Sequence, residues 1–335
     1  MDDISHLVFD EMVRTFSRSP FVLFLGAGVN GDTGVRWSKL VSALEEKAFH
    51  MLSSGDNELA KSLQKFVSGK GLEMTMRAEL VARTLGPSAY RLFLKRELYS
   101  NFSYGEFTKC MGEKQAGGRH SHAEKYHFLW LAAKLTQSAN LVAVLTLNYD
   151  NFLEMAIEAL PISDGRQRRA PVCMMPARPL AESTVKGRRK PGDIRPLPVY
   201  HLHGFLPYLS PDLAPDSQDI VLSQNDYLRS MRESMSAGNC TAVHMLTSYP
   251  VLFVGLSMND WNLLRHIEAS QVAGRGFSHF RLGRQTNAED PLQKAALLYD
   301  RMVGQVWNMY GVKSITAGTD YKHMRKVLEE LVDSL

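Results

Sequence analysis

The chain has 335 residues, of which 44% are hydrophobic and 22% are charged. This composition is typical of a folded protein with one large domain or two ordinary ones, and it excludes intrinsic disorder and fibrous repeats. The formal net charge of +4 is uneven, because residues 166–195 hold nine Lys or Arg against two acids, a balance of 9 − 2 = +7. The rest of the chain is therefore slightly acidic.

The expected compartment follows from the apolar runs and the cysteines. No apolar run approaches the ~20 residues that a membrane span needs, and the first residues are acidic where a leader would be basic. Cys110, Cys173 and Cys240 are far apart and form no CxxC pair, whereas a structural zinc ribbon needs about four ligands in paired spacing. We expect a cytoplasmic protein with no membrane segment, no disulfide framework and no zinc.

The first predicted element is a buried strand that ends in a glycine turn. Residues 21–28 read FVLFLGAG, an all-apolar run followed by G-x-G, and residues 37–52 then have helical spacing of apolar side chains. Glycine permits close approach, and the start of a helix attracts negative charge, so the turn suits a pyrophosphate. A turn that serves only packing would have the same sequence, and both interpretations stay open.

Helix-forming residues fill the region between 57 and 134, where no strand-like run occurs. We interpret residues 57–134 as a helical module inserted into a sheet domain of residues 1–56 and 135–335. Strands separated by helices predict an α/β fold, with a Rossmann-like, mostly parallel sheet and helices on both faces. Further short apolar runs predict strands at 141–147, 198–202, 220–222, 250–255, 279–282 and 312–316.

Residues 162–195 combine the basic excess with four prolines and show no periodicity. This pattern predicts a long surface loop. A basic loop is either simply solvated or, through residues 166–195, a contact for nucleic acid or an acidic protein.

Polar side chains follow the predicted strands. Ligands of an open α/β sheet bind at the carboxyl ends of strands. Asn148 after the 141–147 strand suits sugar hydroxyls or a water, while Asp150 is either a ligand residue or a helix cap. In His-Leu-His-Gly, period-2 alternation predicts that His201 and His203 share one face, as structural histidines or as proton acceptors.

A second glycine turn follows the 250–255 run, where the chain reads GLSMND from Gly255. The hydroxyl of Ser257 is able to meet a phosphate or a ribose. Asp260 is expected to cap the helix that follows it.

Five motifs occur in a fixed order, namely GAGVN from Gly26, TLNYD from Thr146, HLHGFLP from His201, VLSQNDYL from Val221 and VGLSMND from Val254. With them the chain resembles the sirtuin superfamily, and more closely the SIR2-like NAD-cleaving effectors of bacterial anti-phage defence. The resemblance implies hydrolysis of NAD, as substrate, to nicotinamide and ADP-ribose, with the toxic reaction serving abortive infection.

The same resemblance implies roles for individual residues. Asn148 would contact the nicotinamide ribose and order a water, and His203 would be the base, with His201 as its rival. Asp150 would face the carboxamide, and Ser257 would meet a phosphate or ribose. The cofactor-binding set that the resemblance implies is Gly26, Ala27, Gly28, Asn30, Asp150, Gly255 and Ser257.

The chain also departs from the protein deacylases of the superfamily. Their paired-cysteine zinc module has no counterpart, and residues 34–39 read GVRWSK where they have an Asp-Phe-Arg segment. NAD hydrolysis is therefore favoured over deacylation or ADP-ribosyl transfer. The remaining alternative is a non-catalytic module that senses NAD or ADP-ribose and contacts DNA through the basic loop.

The resemblance further implies partners. Related effectors are often homo-oligomers, or they act beside a companion such as a HerA-type ATPase or a phage-sensing protein. An activating trigger follows from the function, because a cell has to restrain an enzyme that destroys NAD.

Overall fold

A computed structural model describes most of the chain. The described residues are 3–31, 33, 35, 37–112, 125–160, 168–175, 178–179, 194–208, 220–233, 235–256, 260–274, 276–286, 292–318 and 321–335. None of the helices in these ranges is both long enough and apolar enough to cross a bilayer.

One eight-stranded sheet organises the fold, with the strand order β4-β3-β5-β2-β1-β6-β7-β8. Seven strands run parallel, and β4 pairs antiparallel with β3. The predicted mostly parallel α/β sheet is confirmed. The strands are β1 Phe21–Leu25, β2 Leu141–Thr146, β3 Arg168–Met175, β4 Arg178–Pro179, β5 Ile194–His201, β6 Val251–Val254, β7 His279–Gly283 and β8 Val312–Thr316.

Thirteen α-helices flank the sheet within the described ranges, and one short 3₁₀ helix, Ala27–Asn30, follows β1. The helix predicted at 37–52 is confirmed with both of its ends. The helices are α1 Asp3–Arg18, α2 Trp37–Leu52, α3 Asn57–Ser68, α4 Met74–Leu85, α5 Pro87–Leu98, α6 Tyr104–Gly112, α7 His127–Leu135, α8 Phe152–Ala159, α9 Gln224–Arg232, α10 Ala237–Ser248, α11 Trp261–Val272, α12 Gln293–Met309 and α13 Tyr321–Ser334.

Two sequence-based assignments are wrong. The loop predicted over 162–195 contains β3 and β4, and β3 pairs in parallel with β5 along seven positions. The run 220–222 is not a strand, although all three residues are buried. It is apolar because it lies across the end of β5, where the Val221 N–H donates to the His203 carbonyl (2.9 Å) and the Val221 carbonyl accepts from the Tyr149 hydroxyl (2.7 Å).

The helices between 57 and 112 share a core with the sheet. Val81 of α4, Leu94 of α5 and Phe107 of α6 are fully buried in the same continuous cluster as Leu23 and Leu25 of β1. Burial of this kind supplies most of the favourable free energy of folding. The division of the chain into an insert, residues 57–134, and a sheet domain remains a prediction.

The topology places a crevice at the centre of the sheet. β1 lies between β2 and β6, and the chain builds first on one side of β1 and then on the other. In open parallel sheets, ligands bind at such a switch point, outside the carboxyl ends of the strands. The segments that follow β1, β2, β5 and β6 meet there, and they carry most of the residues that the sequence singles out.

Candidate functional site

The glycine turns after β1 and β6 pack directly against each other. The Gly28 N–H donates to the Gly255 carbonyl (2.9 Å), and the Gly26 N–H donates to the Val254 carbonyl (3.0 Å). A Cβ on Gly26 would lie 2.6 Å from the Gly255 oxygen, and Gly255 has a φ of +71°. Two of the amides predicted to face a pyrophosphate are therefore paired, one with β6 and one with the turn that follows it, and the glycines allow the two turns to approach closely.

Gly255→Ala is expected to be strongly destabilising. A Cβ at this position would lie 2.5 Å from the Val29 nitrogen, in addition to the strain of a positive φ. The matched control is Gly274→Ala, since Gly274 has a φ of +84° and open space around it. We expect the control to lower the free energy of unfolding by about 1–2 kcal/mol and Gly255→Ala to lower it by a further ~1–3 kcal/mol. Urea denaturation measures both, and equal losses would contradict the close packing of the turns.

Polar side chains from four segments surround a small cavity beside these turns. Asn30, Asn148, Asp150 and His201 line it, together with Thr146 of β2 and Glu154 of α8. The first four of these residues were singled out from the sequence. Glu154 was missed, because a glutamate inside an amphipathic helix gives no signal that it faces a cavity.

Asp150 is held from two sides. Its Oδ2 accepts from the Asn30 side-chain amide (2.7 Å), and its Oδ1 accepts from the Phe152 N–H at the start of α8 (3.2 Å). Burial raises the pKa of Asp150 to about 6, although the bond from Phe152 acts in the opposite direction. Asp150 therefore braces the start of α8 and also joins two of the converging segments.

The burial of Asp150 predicts a pH-dependent stability. A carboxyl whose folded pKa lies near 6, above its usual 3.8, favours the folded state at low pH, and this contribution is lost as pH rises from about 4 to 6. Asp150→Asn removes that dependence. The stability of the variant relative to the wild type is expected to increase by about 1–3 kcal/mol between pH 4 and pH 7. Denaturant unfolding at the two pH values measures this, and a constant difference would be the contrary result.

His201 has both ring nitrogens occupied. Nδ1 donates to the Asn148 carbonyl (2.9 Å), and Nε2 lies 2.6 Å from a carboxylate oxygen of Glu154. Burial lowers the pKa of His201, but Glu154 and the neighbouring Cys173 raise it more, and the result lies well above the ordinary value. His201 is therefore a partner of Glu154 that also fixes the backbone carbonyl of Asn148.

Glu154, Cys173 and His201 also have the donor chemistry of a metal site. Their potential ligand atoms lie within 4.8 Å of one another, and one Glu154 oxygen is buried without a partner among the described residues. These donor types are ones that Zn²⁺ accepts, but three of them are one short of the four ligands of a structural zinc site. The short contact between Glu154 and His201 satisfies two of these groups without an ion. The expected absence of zinc remains a prediction.

His203 has different surroundings from His201. Its Nε2 is buried, has no hydrogen-bond partner within the described ranges, and lies 3.9 Å from Oδ1 of Asp260. Its ring meets that of Tyr227 edge to face at 5.5 Å. The prediction that the two histidines share a face is wrong, because β5 ends at His201 and the chain turns over residues 202–203. Burial lowers the pKa of His203, and Asp260 partly opposes this effect.

Asn148 presents an open carboxamide. Its backbone is fixed, since the Asn148 N–H donates to the Thr146 hydroxyl (3.0 Å) and its carbonyl accepts from His201. Its side-chain amide makes no hydrogen bond to any part of the protein that the structure describes. A fixed backbone with an unpaired amide at a cavity is the arrangement expected of a ligand-binding residue.

The structure tests the predicted role of Asp260, which follows the second glycine turn, but not that of Ser257. Asp260 accepts from the Asn262 N–H (2.9 Å) and the Leu263 N–H (3.1 Å), which confirms it as the cap of α11. Ser257 lies outside the described residues, and its proposed contact with a phosphate or ribose remains a prediction.

One part of the chain matches a known family model. Residues 142–303 match the model of the SIR2-like domain, a range that contains Asn148, His203 and Gly255 and begins after the first glycine turn. No curated protein matches the chain. A solved structure described as "Structural Basis for the Mechanism and Regulation of Sir2 Enzymes" is similar over 100% of this chain and 97% of its own, with 13% sequence identity and a TM-score of 0.40.

Proposed function

We propose that this chain, which carries a SIR2-like domain of the sirtuin superfamily, hydrolyses NAD to nicotinamide and ADP-ribose. The domain supports an NAD-utilising function in general. The observation that carries the hydrolytic proposal is that two polar side chains have no hydrogen-bond partner among the described residues. The Asn148 carboxamide and the His203 imidazole follow the neighbouring strands β2 and β5, and neither makes a hydrogen bond to another group of the described protein.

The reaction sets modest demands on the protein. The bond between the nicotinamide nitrogen and C1′ of the ribose breaks, and its electron pair leaves with the ring, so the cationic pyridinium becomes neutral nicotinamide. The sugar carbon passes through an oxocarbenium-like state and is attacked by a water, which loses a proton. The enzyme has to hold the ribose and the water in line and accept that proton.

Asn148 is suited to the positioning step. A carboxamide donates and accepts at once, so it is able to bind a ribose hydroxyl and a water together. Its backbone is held by Thr146 and His201. The side chain therefore extends from a rigid support at the end of β2, as a group that orients reactants should.

His203 is the better of the two candidate bases. Both nitrogens of His201 already contact protein oxygens, so it has no open position for a substrate proton. Nε2 of His203 faces Asp260, and Nδ1 makes no hydrogen bond to the described residues, so Nδ1 is open to a substrate proton. Burial lowers the pKa of His203, which leaves the ring neutral near pH 7. A neutral imidazole is the form that accepts a proton.

The remaining residues of the proposed NAD site are arranged around the two turns. We propose that Gly26, Ala27, Gly28 and Gly255 let the pyrophosphate approach the backbone, with Ser257 on a phosphate or ribose. Asn30 and Asp150 form a hydrogen-bonded pair at the cavity. In this proposal they bound the nicotinamide end of the substrate.

The biological setting is proposed from the resemblance alone. In this setting the NADase is the toxic effector of an anti-phage, abortive-infection system. It acts as a homo-oligomer or beside a HerA-type ATPase or a phage-sensing protein, and the excess of basic residues within 166–195 contacts nucleic acid.

The test is to incubate the purified chain with NAD, alone and with the product of the neighbouring gene, and to separate the products. Hydrolysis predicts nicotinamide and ADP-ribose in equal amounts. Formation of acetyl-ADP-ribose from an added acetylated peptide would instead indicate a deacylase. Intact NAD in both incubations would contradict the proposal.

A further inference from the structure

Asp260 does more than cap a helix. One carboxylate oxygen, Oδ1, accepts from the Asn262 and Leu263 N–H groups. The other, Oδ2, accepts from the hydroxyl of Tyr227 on α9 at 2.6 Å. The carboxylate is thus fixed from two elements, and its position is set independently of any ligand.

This fixed carboxylate faces the proposed base. His203 Nε2 lies 3.9 Å from Asp260 Oδ1, which is too long for a hydrogen bond and close enough for strong electrostatic coupling in a buried place. Tyr227 contacts both partners, because its hydroxyl binds Asp260 and its ring meets the edge of the His203 ring. Three segments, those after β5, in α9 and at the start of α11, therefore meet at one group of side chains.

The charges around His203 make Asp260 the dominant influence. The titratable groups that face it from the packed elements are Asp260, His266 and Tyr227. Burial lowers the pKa of His266 to about 3, so that ring is neutral. Burial also raises the pKa of Tyr227 far above its ordinary value, so its hydroxyl stays a donor. Among these groups, Asp260 carries the negative charge.

We propose that Asp260, held by Tyr227, is a positioning residue for His203. The carboxylate charge faces Nε2 and stabilises the imidazolium that forms when Nδ1, the nitrogen on the other side of the ring, takes the proton from the attacking water. The water loses a proton, His203 gains it, and the product ADP-ribose leaves with the hydroxyl, so atoms and charges balance. This inference rests on the proposed NAD hydrolysis.

Asp260→Asn is the direct test, because asparagine is as good a helix cap as aspartate and removes only the charge. We expect kcat to fall by about 10²-fold, with KM changed less than about twofold. The acid limb of the pH–rate profile should move to lower pH, because the lost carboxylate no longer raises the pKa of His203. Tyr227→Phe should give smaller changes in the same directions.

The matched control is Asp56→Asn. Asp56 caps α3 through the same pair of backbone contacts, to Glu58 N and Leu59 N. This variant should leave kcat and the pH profile unchanged. An unchanged acid limb in Asp260→Asn would overturn the inference even if kcat fell.

A second measurement separates this inference from the proposed function. NMR titration of the His203 ring in the full chain reports its pKa without any turnover. A lower His203 pKa in Asp260→Asn supports the coupling whether or not NAD is consumed, and an equal pKa refutes it. If the wild-type protein consumes no NAD while the His203 pKa is still lower in Asp260→Asn, the proposed NAD hydrolysis is wrong and the coupling between Asp260 and His203 is supported.

Discussion

His203→Gln is expected to reduce NAD turnover by about 10²- to 10⁴-fold, the range typical for loss of a general base. Glutamine fills much of the space of the ring but does not accept a proton near neutral pH. Folding should be little affected, because His203 Nε2 has no hydrogen-bond partner in the described structure and none is lost. The measurement is nicotinamide release per folded molecule, with the fold checked by circular dichroism and thermal unfolding.

His279→Gln is the matched control for this prediction. His279 is equally buried, but it is the first residue of β7. It therefore lies at the amino ends of the parallel strands, whereas the proposed site lies at their carboxyl ends. Its Nδ1 accepts from the Val251 N–H, so this variant should lose stability and keep its turnover. If turnover survived in His203→Gln, or fell equally in both variants, His203 would not be the base.

Asn148→Ala is the second large effect, with an expected loss of about 10²- to 10³-fold in kcat, as for removal of a preorganised hydrogen-bonding group at a reacting centre. The side chain makes no hydrogen bond to the described residues that folding would lose. The free energy of unfolding should therefore change by less than about 0.5 kcal/mol. Rapid-quench assays of nicotinamide release, together with urea unfolding, measure the two quantities.

Asn140→Ala provides the contrast. Asn140 lies just before β2, and Asn148 lies just after it. The side-chain amide of Asn140 donates to the Phe16 and Ser17 carbonyls. This variant is expected to lose about 1–2 kcal/mol of stability with no change in kcat. A large stability loss in Asn148→Ala with proportionate loss of activity would assign Asn148 to the fold rather than to the reaction.

Strands that are buried on both faces were predictable from the sequence. The runs for β1, β2 and β6 are continuous and apolar because helices cover both sides of a parallel sheet. β7 and β8 read HFRLG and VKSIT, and their apolar residues are interrupted by charged and polar ones. The helix Trp37–Leu52 has a clear apolar stripe, with Leu40, Leu44 and Ala48 buried. In these cases local composition and tertiary environment agree.

The strand β3, which lies next to the edge strand β4, was not predictable by the same reasoning. Its sequence, RRAPVCMM, contains arginine and proline, which are poorly represented in apolar strand patterns. Pro196 and Pro198 of β5 are tolerated because they precede Val199, where pairing with β2 begins among the described residues. The run 220–222 was predicted as a strand and is not one. Its residues are apolar because they are buried, and buried residues outside a sheet have the same apolar composition as a buried strand.

The sequence predicted that the site residues follow the ends of strands, but it did not predict which side chains contact each other. The order of strands in the sheet decides which ends meet, and no local pattern encodes it. The alternation rule failed at His203 because β5 stops two residues earlier. The partners that separate the histidines, Glu154 and Asp260, lie on helices distant in sequence. The paired amides of Gly26 and Gly28 likewise depend on the position of β6.

The most direct measurement is a crystal structure of the His203→Gln protein with NAD bound. We predict that C1′ of the nicotinamide ribose lies between the Asn148 carboxamide and the residue 203 side chain, with a ribose hydroxyl within hydrogen-bond distance of Asn148. NAD bound with its nicotinamide ribose out of reach of both side chains would contradict the proposed reaction centre.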